Sequence, residues 1–157
     1  MISLRDAKHG IVIPTLRLLP PEMNTPSAVN GVAGIGNVET GYRTRQQVGG
    51  PALGFWQMEP ATHADCWSRF IVYRPELLRA FATIVGHAGA PSPQLMLTND
   101  RYACAMARVK LFRAPEPLPD ADDALGWSRY WRDWYNSPLG AGTVERALPL
   151  FAAAIGA

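Results

Sequence analysis

The 157 residues of this chain are 48% hydrophobic and 18% charged, a composition that excludes a disordered chain and predicts one domain, over residues 1–157, with a buried core. The formal net charge of +2 is too small, and the basic residues are too scattered, for the basic face of a nucleic-acid-binding protein. The 14 prolines and 14 glycines predict short elements with many breaks rather than a long coiled coil.

The first two predicted helices are bounded by proline. Residues 11–23 carry apolar side chains around Pro14 and run into a pair of prolines, which predicts a short helix. Thr25 has the side chain of an N-cap, and the proline that follows it suits the first helical position. Apolar residues at helical spacing continue this second helix to Val38, and Gly41 is a natural stop.

Glu39 falls at the C-terminal end of this second helix. The helix dipole and partial burial both disfavour a carboxylate there, so we expect the pKa of Glu39 to be raised. Gly31, Gly34 and Gly36 weaken the helix by roughly 1 kcal/mol each relative to alanine. We expect them to admit the close approach of another element.

The remainder of the chain alternates between irregular segments and helices. Residues 42–58 lack a helical period and contain Gly49-Gly50-Pro51, which predicts a small hairpin or loop lobe. Residues 114–119 form a proline-rich connector. The later helices are predicted over residues 61–73, 75–85, 100–112, 120–135 and 144–155, the second with Pro75 in its first turn and Gly86 at its end, and the last with a kink at Pro149.

The cysteines and the N-terminus exclude further classes. Cys66 and Cys104 are the only cysteines, so at most one internal disulfide forms, and whether they pair is open. Neither Cys-x-x-Cys nor His-x-x-x-His spacing occurs, so we expect no metal and no other cofactor. The first ten residues lack the apolar core of a signal peptide, and no stretch has the apolar length of a membrane span, so we expect synthesis in a cytoplasm.

Two short motifs carry the functional prediction. Glu39-Thr40 closes a helix, and residues 54–60 read Gly-Phe-Trp-Gln-Met-Glu-Pro. This order resembles the active-site signature of lysozyme-like muramidases, the soluble lytic transglycosylases and goose-type lysozymes, in which Glu-Ser/Thr precedes a Gly-Leu-Met-Gln-x-x-Pro segment. The resemblance implies a mainly α-helical, lysozyme-like domain over residues 1–157 with a small hairpin or loop lobe.

The same resemblance assigns roles to individual residues. It implies that Glu39 is the catalytic general acid and that Gln57 lines the sugar-binding cleft, with Thr40 beside the acid as a further substrate-binding residue. Trp56 stands where the family often has methionine, and its indole either stacks on a sugar or fills the core of the small lobe. A second carboxylate would come from Glu59 or Asp65, although spacing supports neither.

A third segment, residues 135–144, reads Tyr-Asn-Ser-Pro-Leu-Gly-Ala-Gly-Thr-Val. It resembles a variant of the Ala-Tyr-Asn-Ala-Gly motif found late in lytic transglycosylases, where the tyrosine approaches the catalytic glutamate. The resemblance implies that Tyr135 binds substrate. The alternative is a buried tyrosine in an aromatic cluster.

The central third of the chain also resembles small proteins encoded by tailed bacteriophages and prophages. This similarity implies synthesis in the cytoplasm of a phage host and a role in virion penetration or host lysis, without choosing between them. The matching residues are Glu39, Thr40, Tyr42, Gln47, Gly49, Gly50, Pro51, Ala52, Gly54, Trp56, Gln57 and Glu59.

These resemblances together predict a muramidase that cleaves the β-1,4 bond between N-acetylmuramic acid and N-acetylglucosamine in peptidoglycan. With one catalytic glutamate, a lytic transglycosylase is favoured over a lysozyme. The predicted partners are a peptidoglycan glycan strand and phage virion proteins, and the protein would act at the bacterial cell wall, free or in the virion. The alternatives are a virion or assembly protein on a lysozyme-like scaffold without turnover, and an enzyme that acts on chitin or chitosan.

Overall fold

The computed structural model describes residues 1–136 and 142–157 and is mainly helical, which confirms the predicted class. No β-strand occurs in these two ranges. The α-helices in them are α1 (Leu4–Ala7), α2 (Ile13–Leu16), α3 (Pro26–Glu39), α4 (Pro60–Arg69), α5 (Pro75–Val85), α6 (Leu95–Thr98), α7 (Asp100–Phe112), α8 (Ala124–Tyr130) and α9 (Val144–Gly156). Two π-helical segments, π1 (Lys8–Val12) and π2 (Trp131–Tyr135), follow α1 and α8, and Pro21–Met23 and Ile71–Tyr73 are 3-10 turns.

The N-terminal helix differs from its prediction over residues 11–23. Helical backbone begins at Leu4, because Ser3 is an N-cap whose side chain accepts a hydrogen bond from the backbone N–H of Asp6. Three successive segments, α1, π1 and α2, then run to Leu16. Pro14 is the second residue of α2, which follows π1 directly.

The later helices follow their predictions more closely. α5 and α7 have the predicted bounds, and Gly86 ends α5 in the left-handed conformation with φ 92°. α4 starts at Pro60 and stops at Arg69. The helix predicted over residues 61–73 is therefore two elements, α4 and a separate 3-10 turn at Ile71–Tyr73. α8 starts only at Ala124, because the Asp123 side chain caps it through the N–H of Gly126.

The glycines of α3 receive three aromatic rings. A Cβ atom added to Gly31 would overlap the indole of Trp127 from α8, one added to Gly34 would overlap the ring of Phe151 from α9, and one added to Gly36 would overlap the phenol of Tyr42. All three rings are fully buried. The expected close approach is thus confirmed, and burial of each ring, about 1.5–3 kcal/mol, offsets the low helix propensity of its glycine.

Residues 42–58 form a loop rather than a hairpin of strands. Isolated bridges pair Gln46 with Leu53 and Leu53 with Met58, without longer ladders in this segment. Gly54 has φ 76° and Gln57 has φ 50°, and Tyr42 and Gly49 also have positive φ, so the backbone turns away from the extended conformation at four points. The predicted lobe therefore consists of a structured loop.

The core contains a buried hydrogen-bond network on α4 and α7. Trp67 Nε1 donates to the Tyr102 hydroxyl over 2.9 Å, and that hydroxyl lies 2.6 Å from His63 Nε2. The Tyr102 hydroxyl accepts from Trp67 through a lone pair, which leaves its own proton free for the hydrogen bond to His63 Nε2 when the ring carries its proton on Nδ1. Burial lowers the pKa of His63, which agrees with a neutral ring.

The cysteine pairing that the sequence left open is answered by the same core. Cys66 and Cys104 are both free and buried, so they do not form a disulfide. Burial raises the pKa of each thiol. No helix in the described part of the chain is long and apolar enough to cross a membrane.

The contact between Gly34 of α3 and Phe151 generates a stability prediction. Gly34→Ala should lower the free energy of unfolding by about 1–3 kcal/mol, because the added methyl overlaps Phe151 in a packed core. Urea denaturation measures the loss. The matched control is Gly10→Ala in π1, where no atom lies near the added Cβ and alanine should leave stability equal or raise it by roughly 0.5–1 kcal/mol. Equal stability of the two variants would contradict the packing described here.

The His63 network generates a pH prediction. The pKa of His63 is lowered below the ordinary 6.5, so the unfolded chain takes up a proton that the folded protein resists. This contribution to stability is present above pH 6.5 and is lost as the pH falls below it, by up to about 1.4 kcal/mol per pH unit.

The measurement is urea denaturation of wild type and His63→Gln at pH 7.5 and pH 5.0. Glutamine can accept from Tyr102 but does not titrate, so the variant should lose less stability between the two pH values than wild type. The same loss in both proteins would show that His63 carries no part of the pH dependence.

Candidate active site

An open groove of about 510 Å³ lies at the C-terminal end of α3. Its volume falls in the range of small-molecule sites. We call it the Glu39 groove, and its walls come from α3, the 44–59 segment, α7, π2 and the start of α9. Of the residues predicted for the site, it contains Glu39, Thr40, Gln57, Glu59 and Tyr135.

Glu39 is half-buried as the last residue of α3, as predicted. Its Oε1 accepts a hydrogen bond of 2.8 Å from Nε1 of Trp131. Burial raises the pKa of Glu39 above the ordinary 4.5, while this hydrogen bond and the charge of Lys110 act in the opposite direction. The result is a carboxyl group that holds its proton more firmly than an exposed glutamate does.

The π-helical segment π2 supplies two groups to the groove. Trp131 is its first residue and Tyr135 its last, and both line the groove although they are almost fully buried. π-helical turns inside α-helices occur frequently at functional sites. The aromatic density of residues 127–135 was the only sequence signal for Trp131, whose contact with Glu39 the sequence reading missed.

The hydroxyls of Thr40 and Tyr135 hold the neighbouring loop. Thr40 Oγ1 donates to the backbone carbonyl of Phe55 over 2.9 Å, and the Tyr135 hydroxyl donates to that of Trp56 over 2.6 Å. Both protons are therefore used inside the protein. The two predicted substrate-binding residues line the groove, but their hydroxyls hold two successive carbonyls of the 42–58 loop.

Trp56 lies outside the groove, so its predicted contact with substrate is wrong. Its side chain is fully buried, and its Nε1 donates to the carbonyl of Val32 in α3 over 2.8 Å. The indole also makes edge contacts with the rings of Tyr42 and Phe55. Of the two roles that the sequence left open, filling the core is the one that this position allows.

Gln57 keeps its predicted place in the groove. Its backbone has φ 50°, a left-handed conformation that costs a non-glycine residue about 1 kcal/mol or more. The side-chain Nε2 donates to the carbonyl of Gly54 over 2.9 Å. This bond helps to hold the strained turn at the groove wall.

Several residues of the phage-like motif fix the conformation of the 42–58 loop. Gln47 Oε1 accepts from the backbone N–H of Ala52 over 3.1 Å, and the amide occupies the space that a Cβ on Gly50 would need. Gly54, with φ 76°, packs so tightly on α6 that an added Cβ would lie 2.8 Å from the carbonyl oxygen of Met96. Of these residues, Gln47 and Ala52 line the groove, and Gly50 and Gly54 let the loop pack closely.

The two candidates for a second carboxylate are separated by the fold. Glu59 is exposed just before α4 and lines the groove. Asp65 lies outside it and forms ion pairs with Arg113 at 2.8 Å and Arg69 at 3.2 Å. Asp65 is therefore excluded, and Glu59 is the second acidic side chain in the described part of the groove.

Two cations line the groove that the sequence did not predict for the site. Lys110 is half-buried at the end of α7, and its Nζ donates to the backbone carbonyl of Tyr135 over 2.6 Å. Arg146 is exposed on α9. In residues 1–136 and 142–157 no group of three His, Cys, Asp or Glu side chains is placed to bind a metal.

The third motif, residues 135–144, is only partly described. Tyr135, Gly142 and Thr143 line the groove, and residues 137–141 lie outside the described ranges. A Cβ on Gly142 would overlap the indole of Trp131, so this glycine lets the chain pass close to the side chain that holds Glu39.

Comparison with known proteins adds no relative to this description. No protein-family model matches the chain, and searches of curated proteins and of solved structures find no match. The lysozyme-like part of the fold prediction and the assigned activity stay predictions.

Proposed function

We propose that this protein cleaves the β-1,4 bond between N-acetylmuramic acid and N-acetylglucosamine in peptidoglycan. The observation that carries the proposal is a half-buried Glu39 with a raised pKa at an open groove, beside the wall formed by the motif loop. Cleavage of a glycosidic bond needs a proton for the leaving oxygen while positive charge develops on the sugar. Glu39 is the group in this groove best suited to supply it.

The proposed reaction begins with transfer of the Glu39 proton to the glycosidic oxygen. The electron pair of the breaking C–O bond goes to that oxygen, and Glu39 becomes a carboxylate. A hydroxyl of the same muramic acid residue then attacks the sugar carbon and returns its proton to Glu39. The products are a new sugar end and an anhydro-muramic end, and no water is consumed.

The arrangement of carboxyl groups favours this lytic transglycosylase reaction over hydrolysis. Trp131 holds Glu39 in place through a hydrogen bond, whereas Glu59 is exposed and its side chain caps neither α4 nor another backbone group. A base for water would need comparable positioning. Glu39 is therefore proposed to act alone, as acid and then as base.

The openness of the groove also supports turnover over the alternative of an inert virion or assembly protein. Trp56 is packed into the core, and the Gly49-Gly50 turn belongs to the wall segment, so neither fills the space beside Glu39. The proposal includes the phage setting implied by the motif. The protein would be made in the host cytoplasm and would act at the bacterial cell wall, free or with virion proteins.

The role of Glu39 generates the first prediction on activity. Glu39→Gln should retain the fold and lose at least ~100-fold in rate, the usual scale for removal of a general acid. Release of soluble fragments from purified peptidoglycan measures the rate. The control is Glu22→Gln, an exposed glutamate outside the groove, which should leave the rate unchanged. Wild-type clearing by Glu39→Gln would refute the mechanism.

The role of Glu59 generates a second prediction. Glu59→Gln should reduce the same rate by less than about 10-fold, because an exposed group that does not transfer a proton contributes little. A loss as large as that of Glu39→Gln would instead identify Glu59 as a second catalytic carboxylate. Assays on chitin and chitosan complete the comparison, since cleavage of those polymers without cleavage of peptidoglycan would contradict the proposed substrate.

A further inference from the structure

We propose that Lys110 is a positioning residue for Glu39, whose ammonium group stabilises the carboxylate that Glu39 becomes when it releases its proton. The inference rests on the proposed role of Glu39 as the acid. It concerns the ionisation of Glu39, however, which can be measured without any substrate.

The ammonium group of Lys110 is fixed inside the Glu39 groove by two contacts. Nζ donates to the backbone carbonyl of Tyr135 over 2.6 Å and lies 4.0 Å from the centre of the Tyr135 ring. An exposed lysine would lose its electrostatic effect to solvent and salt. Lys110 is half-buried, so its charge acts on its neighbours through a medium that screens less.

The π2 segment makes contact with both Lys110 and Glu39. The last residue of π2 is Tyr135, whose backbone carbonyl accepts a hydrogen bond from the Lys110 ammonium group. The first is Trp131, whose Nε1 donates to Glu39 Oε1. The first and last residues of π2 therefore link the acid to the lysine. Both side chains of the pair line the groove.

The charges around Lys110 favour an effect on Glu39. The titratable groups that face it are Glu39 from α3, Cys66 from α4, Glu59 before α4 and the phenol of Tyr135, and the effect of Glu39 is the largest among the charged groups. Burial raises the pKa of Glu39, and Lys110 provides the one charge found to lower it among the described residues. Burial also lowers the pKa of Lys110, which the negative charge of Glu39 opposes.

The opposing effects of burial and of Lys110 on the pKa of Glu39 suit an acid that must both keep and release a proton. A general acid works best when its pKa lies near the operating pH. Burial alone would hold the proton on Glu39 too firmly, and the carboxylate left after transfer would be poorly solvated. The ammonium of Lys110 offsets that cost at the moment when the negative charge forms.

The test is a carbon-13 NMR titration of the Glu39 carboxyl group, assigned by its loss in Glu39→Gln. Lys110→Met and Lys110→Gln should both titrate at higher pH than wild type, and Lys110→Arg should resemble wild type because the positive charge is retained. Lys110→Gln keeps a donor for the carbonyl of Tyr135, so it separates the charge from the hydrogen bond. Arg146→Met is the matched control, since it removes an exposed cation from the same groove and should shift the titration much less.

The rate profile on peptidoglycan should follow the titration. Activity requires protonated Glu39 and falls as the pH rises through its pKa, so the alkaline limb should move to higher pH in Lys110→Met and Lys110→Gln. Their maximal rates should be lower than that of wild type. Lys110→Arg should retain both the limb and the rate.

The outcomes separate this proposal from the proposed function. An unchanged Glu39 titration in folded Lys110→Met overturns the role of Lys110 whatever the activity. A shift in Lys110→Met that is absent from Lys110→Gln overturns it too, because the charge would not be the cause, and so does an upward shift in Lys110→Arg. Upward shifts in both neutral variants, in a protein that cleaves no peptidoglycan, support the role of Lys110 and contradict the enzymatic function.

Discussion

The contacts between three glycines of α3 and three buried aromatic rings are the constraint on which the rest of the structure depends. The indole of Trp127 from α8 packs against Gly31. Trp131, the donor to Glu39, follows Trp127 by four residues. The rings of Phe151 and Tyr42 bring α9 and the start of the motif loop against the same helix. Packing along α3 thus places three of the segments that line the groove, which are π2, α9 and the motif loop, around its C-terminal residue, Glu39.

The motif residues around Glu39 have two kinds of role, since Glu39 can transfer a proton and the others hold the loop in place. Glu39 carries a titratable group with a shifted pKa, whereas Thr40 and Tyr135 use their hydroxyls to fix successive loop carbonyls. Trp56 ties the same loop to α3 from the core side. Most of these motif residues therefore hold one loop in place beside Glu39.

Local signals in the sequence predicted local structure well, and contacts between distant residues were missed. Thr25 and Gly86 act as the caps expected of them, because caps depend on a few neighbouring residues. Trp131 is 92 positions from Glu39, and neither it nor Lys110 has a local pattern that indicates the acid it serves. Of the two forms predicted for the small lobe, a hairpin or a loop, the structure has the loop, since left-handed backbone at Gly54 and Gln57 breaks the extended chain.

The central claim is that one buried acid, without a second catalytic carboxylate, cleaves the glycan strand. Mass spectrometry of peptidoglycan digested by the wild-type protein tests it most directly. The account predicts fragments that end in anhydro-muramic acid, each lighter by one water than the corresponding reducing sugar. Fragments with reducing ends would contradict the single-acid reaction, and the absence of any released fragment would contradict the enzymatic function itself.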